Sequence, residues 1–331
     1  MKGERRPRPI LRSGKSDLLR SHQLDIRCHF CLKLRFFLRS YQTNSKETWN
    51  MEELSLKHRL LLDDRLKLLG KGLSEYCFSN LYLFRNTHNY HIICEDRIFL
   101  AGNTYDDHSF LMPLFDPAEV SAEYLLEKLA GYDFYFPVSE KSLSAFDSRL
   151  FSYSYNDDDS DYIVSAEKFM WFGGRKLAKK KNLMKQFLKI ASPRVVPYDK
   201  TQQDAAEDVL CQWLEDVGKS VAETDFLPCQ EALANHDIFN LLGFVFYDGS
   251  EPAGFMLGRE LIAGMCVIHF AKGKRKYKGI FQYMINQFAL NYRQVFDWYN
   301  IEQDLGNPNL RKTKHSYDPD AMLKKYRVAP L

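Results

Sequence analysis

Two carboxylates follow the last apolar segment of the sequence, at a point where a strand is expected to end. Residues 295–299 are mostly β-branched and aromatic, a composition typical of a short strand, and Glu302 and Asp304 come directly after it. Such carboxylates can bind a substrate ammonium group or act as a general base. The alternative is structural, because Asp304 could pair with Arg311 or cap the next helix. We predict that both carboxylates belong to a catalytic site.

A short basic helix is predicted immediately after these carboxylates. Asn307 precedes Pro308, a combination of N-cap residue and first-turn proline that typically begins a helix. This helix carries Arg311, Lys312 and Lys314, and an arginine can hold phosphate or carboxylate with two parallel hydrogen bonds. Carboxylates next to such cations predict a site for an anionic partner that carries several phosphates.

The most basic segment of the chain lies further upstream. Residues 168–198 contain nine Lys or Arg and no Asp or Glu, although the formal net charge of the chain is only +3. A run of charge is usually a solvated helix face, but 31 residues without an acid are unusual in a nearly neutral protein. We therefore predict a phosphate-binding surface whose affinity fades with salt. Its candidate contacts are Arg175, Lys176, Lys179, Lys180, Lys181 and Asn182.

A second basic stretch, residues 272–278, precedes a predicted helix. An acetyltransferase holds the pyrophosphate of coenzyme A at such a loop, where backbone N–H groups of the helix N-terminus face the phosphates. Lys276, Lys278 and Gly279 are the candidate contacts. Phe281 stands where a second small residue is needed, and its bulk argues against coenzyme A. The acceptor end of a tRNA is the other phosphate ligand that we consider for this loop.

The elements that position these residues occur twice in the sequence. Each half contains an antiparallel run of strands, then an amphipathic helix, then a further strand. The apolar spacing also predicts a helix over residues 51–69, Asp116-Pro117 predicts a helix through residue 130, and a strand–turn–strand is expected around Gly264. An acidic loop, residues 156–161, separates the halves. We predict an α/β (α+β) fold with two tandem acetyltransferase-like (GNAT-like) domains, residues 51–160 and 161–331, with the candidate cleft in the second.

Composition excludes several classes of protein. The seven cysteines are irregularly spaced, which argues against a disulfide framework and predicts a reducing, cytoplasmic environment. Cys28 and Cys31 have the spacing of a metal-binding pair, but no second pair follows, so we predict no metal site. No apolar run reaches the roughly 18 residues of a membrane span. Residues 1–50 hold twelve Lys or Arg against four Asp or Glu, and we expect a disordered, dispensable arm, or synthesis that starts at Met51.

Several short motifs resemble the phosphatidylglycerol lysyltransferase C-terminal family. They are Gln303-Asp304-Leu305-Gly306, Leu310-Arg311-Lys312, Lys314-x-Ser316-Tyr317-x-Pro319 and Lys325-Tyr326. The resemblance covers roughly residues 54–326 and implies a duplicated acetyltransferase-type fold. It also implies an aminoacyl-tRNA as donor, without a further cofactor. By the same resemblance, His269 and Tyr317 join the catalytic candidates, and Lys314 joins the binding candidates. Asn286, on the predicted helix that follows residues 272–278, is a further binding candidate.

The sequence departs from the family pattern at two positions near the candidate cleft. Ile301 stands where the family tends to have arginine, and Ala271 stands where it tends to have glutamate. The leading hypothesis is a transferase that moves an aminoacyl group from tRNA to a lipid, peptide or small amine. The alternatives are an acetyl-CoA-dependent N-acetyltransferase and a catalytically silent module that binds tRNA or an anionic surface. Contact with anionic lipid would be peripheral.

Overall fold

The computed structural model describes residues 51–331, so the predictions for residues 1–50 lie outside the described residues. This part of the chain contains fourteen strands: β1 (Glu52–Glu53), β2 (His91–Cys94), β3 (Ile98–Asn103), β4 (Ser109–Pro113), β5 (Phe134–Val138), β6 (Phe151–Tyr155), β7 (Asp161–Ser165), β8 (Pro193–Pro197), β9 (Leu242–Asp248), β10 (Glu251–Ile262), β11 (Met265–Gly273), β12 (Trp298–Asn300), β13 (Ala321–Leu323) and β14 (Tyr326–Pro330).

The same part contains ten α-helices: α1 (Arg59–Leu69), α2 (Phe78–Leu83), α3 (Arg85–His88), α4 (Ala122–Lys128), α5 (Ala166–Trp171), α6 (Gly174–Ile190), α7 (Gln203–Val217), α8 (Phe226–Ala234), α9 (Ile280–Asn291) and α10 (Pro308–His315). Within residues 51–331 no helix combines the length and the apolar character that crossing a membrane requires.

The strands form two seven-stranded sheets with the same internal plan. Their orders are β1–β2–β3–β4–β5–β14–β6 and β13–β7–β12–β11–β10–β9–β8. In each sheet an antiparallel meander leads into a helix, and the strand after that helix pairs in parallel with the last meander strand. These parallel pairs are β4 with β5 and β11 with β12. The repeat of meander, helix and strand that the sequence predicts is therefore present.

The sheets divide the chain near residue 160, with one exception at the C-terminus. β7 begins the second sheet at Asp161, and the following strands through β13 belong to the same sheet. The last strand, β14, returns to the first sheet and lies between β5 and β6. Residues 326–330 therefore pair with the first half of the chain, although their place in the sequence predicts that they belong to the second.

One buried core joins the two sheets. Leu66 of α1 and Phe78 of α2 belong to the same apolar cluster as Leu210 of α7, Phe255 of β10 and Phe270 of β11, and all five are almost fully buried. Burial of one such side chain contributes about 1.5–3 kcal/mol. This shared core holds the strand ends of the two halves together around a cavity.

Two predicted helices begin later than the sequence pattern indicates. Residues 52–53 pair with β2, so α1 begins at Arg59 and not at Met51. The predicted helix 116–130 consists of two pieces, because Val120 is extended and Ser121 caps α4 with its own hydroxyl. The predicted cap of α10 is present: the Asn307 side chain accepts hydrogen bonds from two backbone N–H groups of the first turn.

Candidate functional site

A cavity of about 770 Å³ lies between the two halves of the described chain. Its walls include aromatic and apolar side chains from both sheets. Eight charged side chains also line it: Glu75, Asp159, Lys219, Glu223, Asp225, Lys272, Glu302 and Lys314. A mostly apolar pocket with a few convergent polar groups is the usual form of a ligand site, and its volume lies within the usual range of about 300–1,000 Å³.

Glu302 is held in this pocket by an unusual backbone conformation. Its φ is +58°, in the left-handed region that a residue with a side chain rarely adopts. The backbone N–H of Glu302 donates to Asn300 Oδ1 at 2.7 Å. Its Oε1 accepts from His269 Nδ1 at 2.9 Å and from Asn80 Nδ2 at 3.2 Å. Strain of this kind persists only where surrounding contacts enforce it, and it clusters at functional sites.

His269 positions Glu302, and both of its ring nitrogens are engaged. Nδ1 contacts Glu302, and Nε2 lies 2.8 Å from Ser79 Oγ. Burial lowers the pKa of His269, but hydrogen bonds to Cys77 and Glu302 outweigh burial and raise the pKa to about 9. The ring is therefore protonated at neutral pH and donates to both partners. This geometry supports a positioning role for His269 and does not favour the predicted direct catalytic role.

Asp304 lies beneath the site and not on the pocket surface. The buried carboxylate accepts from Tyr162 Oη at 2.5 Å and from Gly306 N at 2.9 Å. Arg311 donates to it through Nε at 2.9 Å and through Nη2 at 2.8 Å. Burial raises the pKa of Asp304, but these hydrogen bonds outweigh it, so that the net shift is downward. Arg311 also binds Asp158. The contacts of Asp304 therefore support the structural alternative, in which it pairs with Arg311. The Arg311 guanidinium is bound to two carboxylates, Asp304 and Asp158.

Tyr317 and Lys180 connect the pocket wall to helix α6. Tyr317 lines the pocket, and its hydroxyl accepts from Gln282 Nε2 at 3.2 Å. Burial raises the pKa of Tyr317 to about 12, so the phenol stays protonated at neutral pH. Lys180 is buried, and its Nζ lies 3.8 Å from the centroid of the Tyr317 ring. Lys180 is therefore the residue through which the basic helix contacts the wall of the pocket.

Lys314 is the only predicted phosphate contact that lines the pocket within residues 51–331. Its Nζ donates to the backbone carbonyl of Gln303 at 2.5 Å. Burial lowers the pKa of Lys314 to about 8, although the charge of Glu302 opposes this shift. Lys314 can therefore exchange a proton near neutral pH.

The other predicted phosphate contacts of α6 and α10 lie on the exposed surface. Lys176 pairs with Asp318 at 2.7 Å. The remaining members are also exposed: Arg175, Lys179, Lys181, Asn182 and Lys312. The α6 residues form a basic helix face outside the pocket, and their role in phosphate binding stays a prediction.

The cations of the loop 272–278 have acidic partners that the sequence did not reveal. Lys272 Nζ donates to Asp225 at 2.6 and 2.8 Å. Lys274 and Lys276 pair with Asp208 and Glu251, whereas Lys278 is exposed. The loop is therefore largely neutralised, and it is not the open phosphate cradle that the sequence predicts.

Gly279 is required by helix packing. Its φ is +92°, and a Cβ there would lie 2.0 Å from the carbonyl oxygen of Leu183 in α6. This face of the glycine is covered by α6, so a phosphate has no access to it from that side. Phe281, two residues later, lines the pocket.

Asn286 also makes structural contacts, which join α9 to α5. Its Nδ2 donates to the backbone carbonyls of Phe169 at 3.1 Å and Met170 at 2.7 Å, in the last turn of α5. Asn286 does not line the pocket. These contacts occupy the amide with α5 and give no support to ligand binding.

A buried ionic cluster at the edge of the pocket could not be recognised from the sequence. Lys325 lies between β13 and β14, and its Nζ contacts Glu75 Oε1 at 2.6 Å and Asp161 Oδ1 at 2.7 Å. Ser74 and Gln303 complete the cluster, each 3.0 Å from Nζ. Glu75 lines the pocket, and burial raises its pKa to about 7. Asp161 is fully buried and not part of a solvated loop. The Lys325-Tyr326 motif was the only signal of this cluster.

Both departures from the family pattern lie on the pocket wall. Ala271 and Ile301 line the cavity, so two positions that tend to be charged in the family carry apolar side chains here. The pair of His269 and Glu302 lies in the same wall and is intact.

Comparisons with known proteins support the fold and the family. A conserved protein of unknown function from Bacteroides thetaiotaomicron matches with a TM-score of 0.75 at 19% identity, covering 86% of this chain and 100% of the other. L-PGS from Bacillus licheniformis matches with a TM-score of 0.58 at 14% identity, covering 84% and 92%. FemX matches with a TM-score of 0.55 at 9% identity, covering 85% and 97%.

These likenesses show the fold, which is the predicted tandem acetyltransferase-type architecture. A comparison with curated protein sequences returns no match. The family model for the C-terminal part of phosphatidylglycerol lysyltransferase matches residues 66–329, most of the chain. The chain therefore belongs to the phosphatidylglycerol lysyltransferase C-terminal family.

Proposed function

We propose that this protein transfers an aminoacyl group from an aminoacyl-tRNA to an amine or hydroxyl of a lipid, peptide or small molecule. Membership of the family supports this reaction class, because the family is named for the transfer of a lysyl group and the resemblance implies a charged tRNA as donor. The observation that carries the proposal is the geometry of Glu302. A strained backbone, His269 and Asn80 fix this carboxylate in the wall of a ligand-sized pocket.

Glu302 is suited to take the proton of the acceptor. Its Oε1 is held by two side chains, whereas Oε2 has no protein partner in the described part of the chain. When the acceptor nitrogen or oxygen attacks the acyl carbon, its proton passes to Glu302. General-base catalysis of this kind contributes about 10²- to 10⁴-fold.

Lys314 is suited to assist the leaving group. The bond between the acyl carbon and the ribose oxygen breaks as the new bond forms, and the ribose oxygen needs a proton. Lys314 lines the same pocket, and burial lowers its pKa to about 8. It can stabilise the negative charge of the tetrahedral intermediate and then give up a proton. Glu302 gains one proton and Lys314 loses one, so the step balances.

The exposed face of α6 is the proposed surface for the RNA backbone. Arg175, Lys179 and Lys181 are exposed on it, and Lys180 joins the helix to Tyr317 in the pocket wall. An RNA bound along α6 would therefore lie next to the pocket. The ester bond of the donor is already activated, so we propose no further cofactor. An acceptor in a membrane would be reached by peripheral contact.

The two alternative functions receive less support. For acetyl-CoA, the loop 272–278 is largely paired with acids, Gly279 is covered by α6, and Phe281 stands in the pocket wall. A silent binding module is favoured by Ala271 and Ile301, because both are apolar where the family tends to have charged residues. The intact contact of His269 with Glu302 favours the enzyme.

The proposal is tested by incubating the full chain with bulk tRNA charged with labelled amino acids, in the presence of a panel of amines and lipid vesicles. We expect label to move to at least one acceptor, and we expect no saturable binding of coenzyme A. Tight coenzyme A binding without tRNA binding would contradict the proposal. Charged tRNA that binds but keeps its amino acid with every acceptor would favour the silent module.

A further inference from the structure

Tyr105 is an exposed aromatic side chain in the pocket wall. It lies in the loop between β3 and β4, and 52% of its surface is exposed although it lines the cavity. Other aromatic residues on the same side of the cavity, Tyr90, Phe110 and Phe136, are less than 9% exposed. Tyr105 therefore presents a free ring at the rim of the pocket, where a planar ligand can stack.

His88 lies against this ring and offers a hydrogen-bond acceptor. Its ring centroid is 4.6 Å from that of Tyr105, with an interplanar angle of 75°. His88 Nδ1 is 2.7 Å from the backbone carbonyl of Asn103, and a carbonyl only accepts, so Nδ1 carries the hydrogen. Burial lowers the pKa of His88, which keeps the ring neutral. Nε2 is then an acceptor, and no protein group within residues 51–331 donates to it.

Tyr105 lines the same cavity as Glu302, the carboxylate of the proposed reaction. In an aminoacyl-tRNA the ester and the terminal adenine are attached to one ribose. A donor whose ester lies beside Glu302 must place its adenine within one sugar of that point.

We propose that Tyr105 and His88 form the subsite for the terminal adenine of the RNA donor. The Tyr105 ring stacks on the face of the base, and His88 Nε2 accepts a hydrogen bond from the 6-amino group. This inference rests on the proposed function, because it takes the donor to be an aminoacyl-tRNA. Guanine carries a carbonyl at the same position, which would face the acceptor nitrogen, so the subsite distinguishes the two purines.

The subsite is tested by binding short 5′-labelled RNAs to the full chain and measuring fluorescence anisotropy. The RNAs end in adenosine, guanosine or purine riboside, which lacks the 6-amino group. We expect adenosine to bind several-fold more tightly than the other two. Tyr105→Ala should weaken binding of the adenosine RNA by about 5- to 100-fold, the range for one stacked base, whereas Tyr105→Phe should keep it. His88→Leu should remove the preference for adenosine over purine riboside.

Tyr153→Ala is the matched control, because Tyr153 is an exposed tyrosine on β6 that does not line the pocket. It should leave all three affinities unchanged. Equal binding of the three RNAs, or equal effects of Tyr105→Ala and Tyr153→Ala, would overturn the subsite. The subsite would also be overturned if Tyr105→Ala changed only the KM for the acceptor.

These outcomes are separable from the proposed function. A preference for terminal adenosine that depends on Tyr105, without any aminoacyl transfer, would support the subsite and contradict the transferase. Transfer that continues at the wild-type rate and with the wild-type tRNA affinity in Tyr105→Ala would support the transferase and overturn the subsite.

Discussion

His269 Nδ1 lies 2.9 Å from Glu302 Oε1, and this contact joins the central meander of the second sheet to the loop that follows β12. Ser79 binds the other ring nitrogen at 2.8 Å and adds helix α2 to the same chain of contacts. Three segments far apart in sequence therefore fix the orientation of one carboxylate. Asn300 fixes the backbone of that carboxylate at the same time.

The contact of His269 with Glu302 predicts a defined pH dependence of stability. The pKa of His269 is raised from 6.5 to about 9 in the folded protein. A raised pKa contributes stability that is complete below pH 6.5 and is lost as the pH rises through about 9. The difference in unfolding free energy between the parent protein and His269→Gln should therefore shrink over this interval, as measured by urea unfolding.

The neighbouring thiol of Cys77 titrates in the same pH range. Burial raises the pKa of Cys77, but the charges of Arg259 and His269 outweigh burial and lower it to about 7. The comparison should therefore be repeated with Cys77→Ser in both proteins. The stability difference should still shrink with pH, but over a narrower interval, because the hydrogen bond to Cys77 is one of the causes that raise the pKa of His269. A difference that is constant from pH 6 to pH 10, or that grows with pH, would show that His269 is not held protonated in the fold.

The buried cluster around Lys325 predicts a large effect of one substitution. Lys325→Met should destabilise the protein by about 3–5 kcal/mol, because it leaves the carboxylates of Glu75 and Asp161 buried without their cation. The adjacent Lys324 is the control. Within residues 51–331 its ammonium contacts Tyr155 and no buried carboxylate, so Lys324→Met should leave the unfolding free energy close to that of the parent protein. Equal effects of the two variants would contradict the assignment.

The exposed lysines of α6 predict a salt-dependent effect on RNA binding. Replacing Lys179, Lys181 and Lys185 with Gln should weaken tRNA binding and should reduce the slope of log affinity against log salt by about 2–3, roughly one for each lost phosphate contact.

A control variant changes three exposed lysines outside α6 to Gln, at Lys67, Lys141 and Lys200. Its salt slope should equal that of the parent protein. An unchanged slope in the α6 variant would show that this face does not bind the RNA backbone.

Much of the fold could be predicted from sequence, because local chemistry determines it. The apolar run interrupted by Gly264 predicts the hairpin of β10 and β11, and Asn307 with Pro308 predicts the start of α10. The predicted helix at 116–130 was wrong as a single element, because a backbone break at Val120 has no signature in the apolar pattern.

The site could be predicted only in part, because partners come from distant segments. The position of Glu302 directly after a strand predicted its place in the site. Its backbone strain and its contact with Asn80 could not be predicted from the sequence. The loop 272–278 seemed free to bind phosphate because Asp208 and Asp225, which neutralise it, lie on other elements. The pairing of Glu75 with Lys325 spans 250 residues and leaves no local pattern.

The most direct test is a single-turnover measurement of aminoacyl transfer with Glu302→Gln. The parent chain, Glu302→Gln and Glu127→Gln are each mixed in excess with charged tRNA and an acceptor that the parent protein uses. Glu127 is an exposed glutamate outside the pocket. We expect Glu302→Gln to slow transfer by about 10²- to 10⁴-fold with unchanged tRNA affinity, and Glu127→Gln to match the parent. Transfer by Glu302→Gln at the parent rate would contradict the role of Glu302 as the base.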